Sequence, residues 1–134
     1  MSKPETVVSW VLQIVVAVIL FQTLFFKFSG AEESVYIFST LGVEPWGRLV
    51  AGTMELVAVG LILYPPTAVY GALLSLAVIT GALASHVKLG LVVKDDGGLL
   101  FGLAMSVFLA SLAIVYLRRS EIPVLGERLF RTIA

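Results

Sequence analysis

The sequence predicts an all-α integral membrane protein: a four-helix bundle with a short amphipathic, interfacial helix between the first and second spans. Three observations carry that prediction. Hydrophobic residues make up 59% and charged residues 13% of the chain, against roughly 25% charged in an average soluble domain, and mean hydropathy is +1.03. Four apolar stretches, each about as long as the roughly 20 residues needed to cross a bilayer, fill most of the 134 residues as a single transmembrane domain, 1–134. Polar and charged residues collect between those stretches. Formal net charge is zero, with nine basic and nine acidic residues, so no nucleic-acid partner is expected. Cysteine is absent, which excludes thiol nucleophiles, disulfide exchange and cysteine-ligated clusters within the chain.

The first span is placed at Val7–Phe26, interrupted by Gln13 and Gln22. Its length, and the lack of a small-residue cleavage pattern, argue against a cleaved signal peptide, whose apolar region runs about 7–15 residues. Lys27 closes it, at a depth from which its stem can snorkel to the interface. Next, Ser29 and Glu32 stand in capping-box relation, and Val35, Phe38 and Leu41 recur at intervals of three before Gly42 and Pro45. A short amphipathic helix over 30–41 follows from this. It is too short to span, so it lies on the membrane surface or folds over the bundle, with Tyr36 and Trp46 at headgroup level.

The second span is expected over Gly47–Tyr64, ended by Pro65-Pro66, which cannot continue a helix. The third, 68–89, runs antiparallel to it. Its pairs Gly71/Ser75, Ala77/Gly81 and Gly81/Ser85 suit close helix packing, where lipid offers no hydrophobic drive between helices. After a polar turn at 94–98 comes the fourth span, 99–117, ended by Arg118 and Arg119. A further interfacial helix is expected over 124–133. Four spans put both termini on one side, with Lys3, Arg118, Arg119, Arg128 and Arg131, against Lys27, Arg48, Lys88 and Lys94 on the other. This balance of basic residues favours cytoplasmic termini.

One side chain stands out in this frame. Glu55 lies about 12 Å into the second span from Gly47, at a depth where an unpartnered charge costs at least ~2.5–3.5 kcal/mol. Topology brings Gln22, Thr23 and Lys27 of the first span and His86 of the third to the same half of the bilayer. Arg48 precedes Glu55 by two helical turns and shares its face, and Gly52 between them opens that face to a neighbour or ligand. The terminal half offers little beyond Ser9, Gln13, Tyr64, Tyr70 and Tyr116. Glu55, His86, Lys27, Arg48, Gln22 and Gly52 are therefore the candidate ligand-binding residues. A metal is not expected, because one His and one carboxylate fall short of the usual three or four ligands. The aromatics Phe21, Phe25, Phe26, Phe28, Phe101 and Phe108 read as lipid contacts or core.

Phe26-Lys27-Phe28-Ser29-Gly30, Leu41-Gly42-Val43, Gly52-Thr53-Met54-Glu55-Leu56, Leu63-Tyr64-Pro65-Pro66 and Gly81-Ala82-Leu83-Ala84-Ser85-His86 together resemble the DoxX-like family of small four-helix membrane proteins. The resemblance runs from about Val7 to Arg119. It implies a bacterial inner-membrane protein associated with quinone-linked or other redox systems, or an accessory, chaperone-like role, with Lys27, Glu55 and His86 as the family-like polar positions. Two functions stay open. In one, Glu55 and His86 line a pocket that holds a quinone or similar apolar ligand and relays its protons. In the other, the bundle is a non-catalytic subunit that binds lipid or docks a partner membrane protein or redox complex. A homodimer through the small-residue faces is compatible with either, and whether any reaction is catalysed is left open. Alternatively, the polar cluster is structural, Glu55 pairing with Arg48, Lys27 or His86 to register the helices.

Overall fold

A computed structural model describes residues 2–89 and 98–122; the predicted turn at 94–97 and the helix over 124–133, with Arg128 and Arg131, lie outside the described residues. Five helices follow one another: α1 (Lys3–Ser29), α2 (Glu32–Thr40), α3 (Trp46–Leu63), α4 (Ala68–Leu89) and α5 (Leu99–Leu117). All but α2 are long and apolar enough to cross a membrane. The chain is a multi-pass, all-α membrane protein. The four long helices form a ring in which α1 packs on α3 and α5, and α4 on the same two; α2 leans on α1 and α3.

The first helix outruns its predicted apolar stretch at both ends, and capping explains both. At its start the Ser2 hydroxyl accepts from the Glu5 amide while the Glu5 carboxylate accepts from the Ser2 amide, each at 3.3 Å, a capping box with Pro4 in the first turn. At its end Gly30 takes a left-handed φ of 71°. Its amide reaches the Lys27 carbonyl, and that of Ala31 reaches Phe26, which satisfies orphan carbonyls of the last turn. The predicted Ser29/Glu32 box is thereby corrected. Ser29 belongs to α1 and its hydroxyl donates to the Phe26 carbonyl at 3.3 Å, while α2 starts from Ala31 with no side-chain cap.

The rest follows the apolar pattern closely. Pro65–Thr67 form a 3-10 turn, and the Thr67 hydroxyl donates back to the Leu61 carbonyl at 2.9 Å, so the reversal between α3 and α4 is tight. Gly71 permits that closeness: a Cβ there would stand 2.6 Å from the Ile62 backbone nitrogen. Gly81, expected to pack in the same way, does not. A Cβ at Gly81 would meet nothing within 4 Å.

The outer surface, unlike that of a soluble bundle, is chiefly apolar. On α1 the buried face is Ser9, Gln13, Val16, Ala17, Leu20 and Leu24, whereas Val11, Ile14, Val18, Phe21 and Phe25 are more than half exposed. In hydrocarbon this is the stable arrangement, since polar side chains find partners inside and apolar ones meet lipid. The remaining aromatics divide accordingly: Phe26 and Phe28 stay substantially exposed, and Phe101 and Phe108 are half-buried.

Candidate functional site

Glu55 is 3% exposed, and both its oxygens are held by α1. Lys27 Nζ lies 2.9 Å from Oε1. The Thr23 hydroxyl, shared with the Leu20 carbonyl, donates to Oε2 at 3.0 Å. Thr23 and Lys27 are one helical turn apart, so they present both donors on one face, and the carboxylate sits between them as a clasp joining α1 to α3. Fixed in this way, a charge at this depth is matched by an opposite charge and by hydrogen bonds, the condition under which a buried ion pair persists.

The pair opens on a cavity of about 460 Å³, within the usual range of ligand sites. All five helices line it. The walls are chiefly apolar: Ile19 and Leu20 from α1, Met54 from α3, and Leu103 and Val107 from α5. Ile37 and Phe38 of α2 close it on the side facing away from the termini. On α4 the small residues Ala77, Gly81 and Ala82 border it; Ala77 and Gly81 are exposed, so the cavity opens to the outside of the bundle there.

His86 shares the cavity wall. It is 7% exposed, and its ring meets Phe101 edge-on, with centroids 6.0 Å apart. Lys27, Glu55 and His86 thus converge on one space. The other three sequence candidates stand elsewhere. Arg48 turns from Glu55 to Glu44, one turn earlier, with Nε at 2.9 Å and Nη2 at 2.8 Å from its Oε1, and Nη1 donates to the Lys27 carbonyl. It caps the end of α1 with a cation, where the helix dipole favours one, and does not line the cavity. Gln22 is exposed and borders a separate groove with Phe21, Val59 and Leu63; one residue along a helix is a rotation of about 100°, and Thr23 holds the position assigned to Gln22. Gly52 receives the Phe28 ring, 3.1 Å from where a Cβ would be.

A second polar cluster adds Arg118 to the Ser9 and Gln13 expected in the terminal half. Arg118 is 4% exposed. Its Nε donates to Ser9 Oγ at 2.9 Å and Gln13 Oε1 at 3.3 Å, and Nη1 pairs with Glu121 at 3.0 Å. Gln13 Nε2 in turn donates to the Ile62 carbonyl at 2.8 Å. Nearer the middle, the Ser75 and Ser111 hydroxyls lie 3.0 Å apart. The signal was present in the spacing: Ser9 and Gln13 are one turn apart, and Ser111, Ile114 and Arg118 recur at three and four on α5.

No family model, curated protein or solved structure matches this chain. The functional reading therefore stands on the geometry of the two clusters. Of the two, the Lys27–Glu55 pair faces an apolar chamber.

Proposed function

We propose that this protein binds a small apolar, quinone-like molecule in the chamber between its helices, within one leaflet, and serves a redox-associated membrane system. The observation that carries the reading is a chamber of about 460 Å³ with chiefly apolar walls and the Lys27–Glu55 pair and His86 on its lining. Binding sites for small molecules have this composition: hydrophobic surface for affinity and a few convergent polar groups for orientation. An intramembrane carboxylate with a cationic partner, near an imidazole whose ordinary pKa is about 6.5, also suits movement of a proton to or from a bound molecule. On this reading the protein is a DoxX-like component of the bacterial inner membrane with cytoplasmic termini.

Organic extraction and native mass spectrometry of the detergent-purified protein test it. A stoichiometric apolar molecule is expected with the wild type. Gly81→Phe, which places a ring on the cavity lining at an exposed position with open space around it, should obstruct the chamber, remove that molecule and leave thermal unfolding unchanged or slightly raised. Extracts without any such molecule, or an occupant indifferent to Gly81→Phe, overturn the proposal.

A second reading, a non-catalytic accessory subunit whose cluster is structural, draws on the full engagement of Glu55 by Lys27 and Thr23. Under it, Glu55→Gln lowers the unfolding temperature and no molecule is extracted, and a stoichiometric partner membrane protein co-purifies.

A further inference from the structure

Resting on the reading of the chamber as a ligand site, the charges at its polar end restrict what the ligand is. Lys27 and Glu55 cancel, with 2.9 Å between Nζ and Oε1. His86 lines the same wall. A charged molecule entering such an apolar space adds its own charge beside a pair that is already balanced. An anion would compete with Glu55 for Lys27 and leave one carboxylate unpaired among apolar walls; a cation would do the same to Lys27. Either outcome is the uncompensated buried charge that proteins tolerate least.

The two members of the pair are not equally open. The Glu55 side chain is 4% exposed and the Lys27 side chain 18%. Both carboxylate oxygens already accept, from Lys27 and Thr23, whereas an ammonium has three donors, of which Glu55 takes one. The group presented to a ligand is thus a donor. What it suits is an acceptor without charge, such as a ketone, quinone or ester carbonyl.

We infer that the chamber selects uncharged apolar molecules headed by a carbonyl, which accepts a hydrogen bond from Lys27, and rejects their anionic counterparts because Glu55 already holds the compensating charge. Glu55 is then a specificity residue. It sets which ligand Lys27 can take by occupying the charge that an acid would need.

The test is a matched pair of ligands, methyl decanoate and decanoate, which share a chain and a carbonyl but differ by one charge. Binding to the detergent-purified protein is measured at alkaline pH, where decanoate is ionised. Wild type should prefer the ester by roughly tenfold or more, the scale set by about 1.4 kcal/mol of unpaired charge. A decyl-substituted benzoquinone, run beside the ester, should also bind better than decanoate, and the tighter of the two names the source of the carbonyl. In Glu55→Gln the order should reverse, because Lys27 is released to pair with an acid. In the double variant Lys27→Gln/Glu55→Gln the gain for decanoate should vanish. Equal binding of ester and anion by wild type overturns the inference and needs no variant. So does a folded Glu55→Gln protein that gains nothing for decanoate. These failures differ from failure of the chamber itself, in which Gly81→Phe leaves ester binding unchanged.

Discussion

Gly71 and Gly81 are the same residue on the same helix, ten positions apart, with opposite surroundings. At Gly71 a Cβ would press on the Ile62 backbone at 2.6 Å, and backbone cannot move aside as a flexible side chain can. Gly71→Ala is therefore expected to cost about 1–3 kcal/mol, the range for overpacking. At Gly81 the space is open, and alanine removes the entropic cost of glycine in a helix, so Gly81→Ala should add roughly 0.5–1 kcal/mol. Detergent unfolding of the two variants side by side checks the contrast. A similar contrast holds for the adjacent arginines. Arg118→Ala takes a charged donor away from Ser9 and Gln13 and should destabilise by about 2–3 kcal/mol. Arg119 is exposed and stacks over Tyr116 at 4.3 Å, and its alanine variant should fall within about 0.5 kcal/mol of wild type.

Between elements, the polar links fall at different heights of the ring. Ser75 and Ser111 tie α4 to α5, Gln13 ties α1 to the Ile62 carbonyl of α3, and Glu55 ties α3 to α1. For the serine pair a double-mutant cycle with alanine should return a coupling of about 0.6 kcal/mol, typical of hydrogen bonds between membrane helices, with the double variant less destabilised than the sum of the singles. At this scale the sequence was largely readable. Long apolar runs and the Pro65-Pro66 break place α3, α4 and α5 within a residue or so, because in a bilayer length and hydropathy leave few alternatives. The site was legible in part. Lys27, Glu55 and His86 follow from depth and topology, but helix rotation is not visible when every face of a helix is apolar. Hence Gln22 stood in for Thr23, and Arg48 was assigned to a shared face when its neighbour Glu44 offered a closer partner. The Arg118 cluster was missed for a different reason: an arginine at the end of a span reads as an interfacial anchor, and only the tertiary contact with α1 makes it a buried one.

Across the whole molecule, the two ends of the bundle are built on different plans. Toward the termini, Val16, Ile62, Val69 and Ile114 are fully buried and Arg118 closes the polar contacts. Toward the other side the ring holds the chamber, covered by α2. Enlarging or filling the chamber should therefore act on binding more than on folding. Met54→Ala, which widens it, should weaken retention of the bound molecule in native mass spectra by a larger factor than it lowers the unfolding temperature, since Met54 is itself 38% exposed and contributes little core.

The clasp on Glu55 also bears on how the chain is made. Synthesis delivers α1 before α3, and Lys27, at the last turn of α1, can hold its ammonium at the interface while it waits. Glu55 sits mid-helix and has no such refuge, so its entry into the lipid is favourable only against a cation already in place. Ser9 and Gln13, on the same first helix, wait longer: their guanidinium arrives with the end of α5. The first span is thus the template on which both Glu55 and Arg118 are received, and the second of these contacts forms only when the end of α5 has been translated.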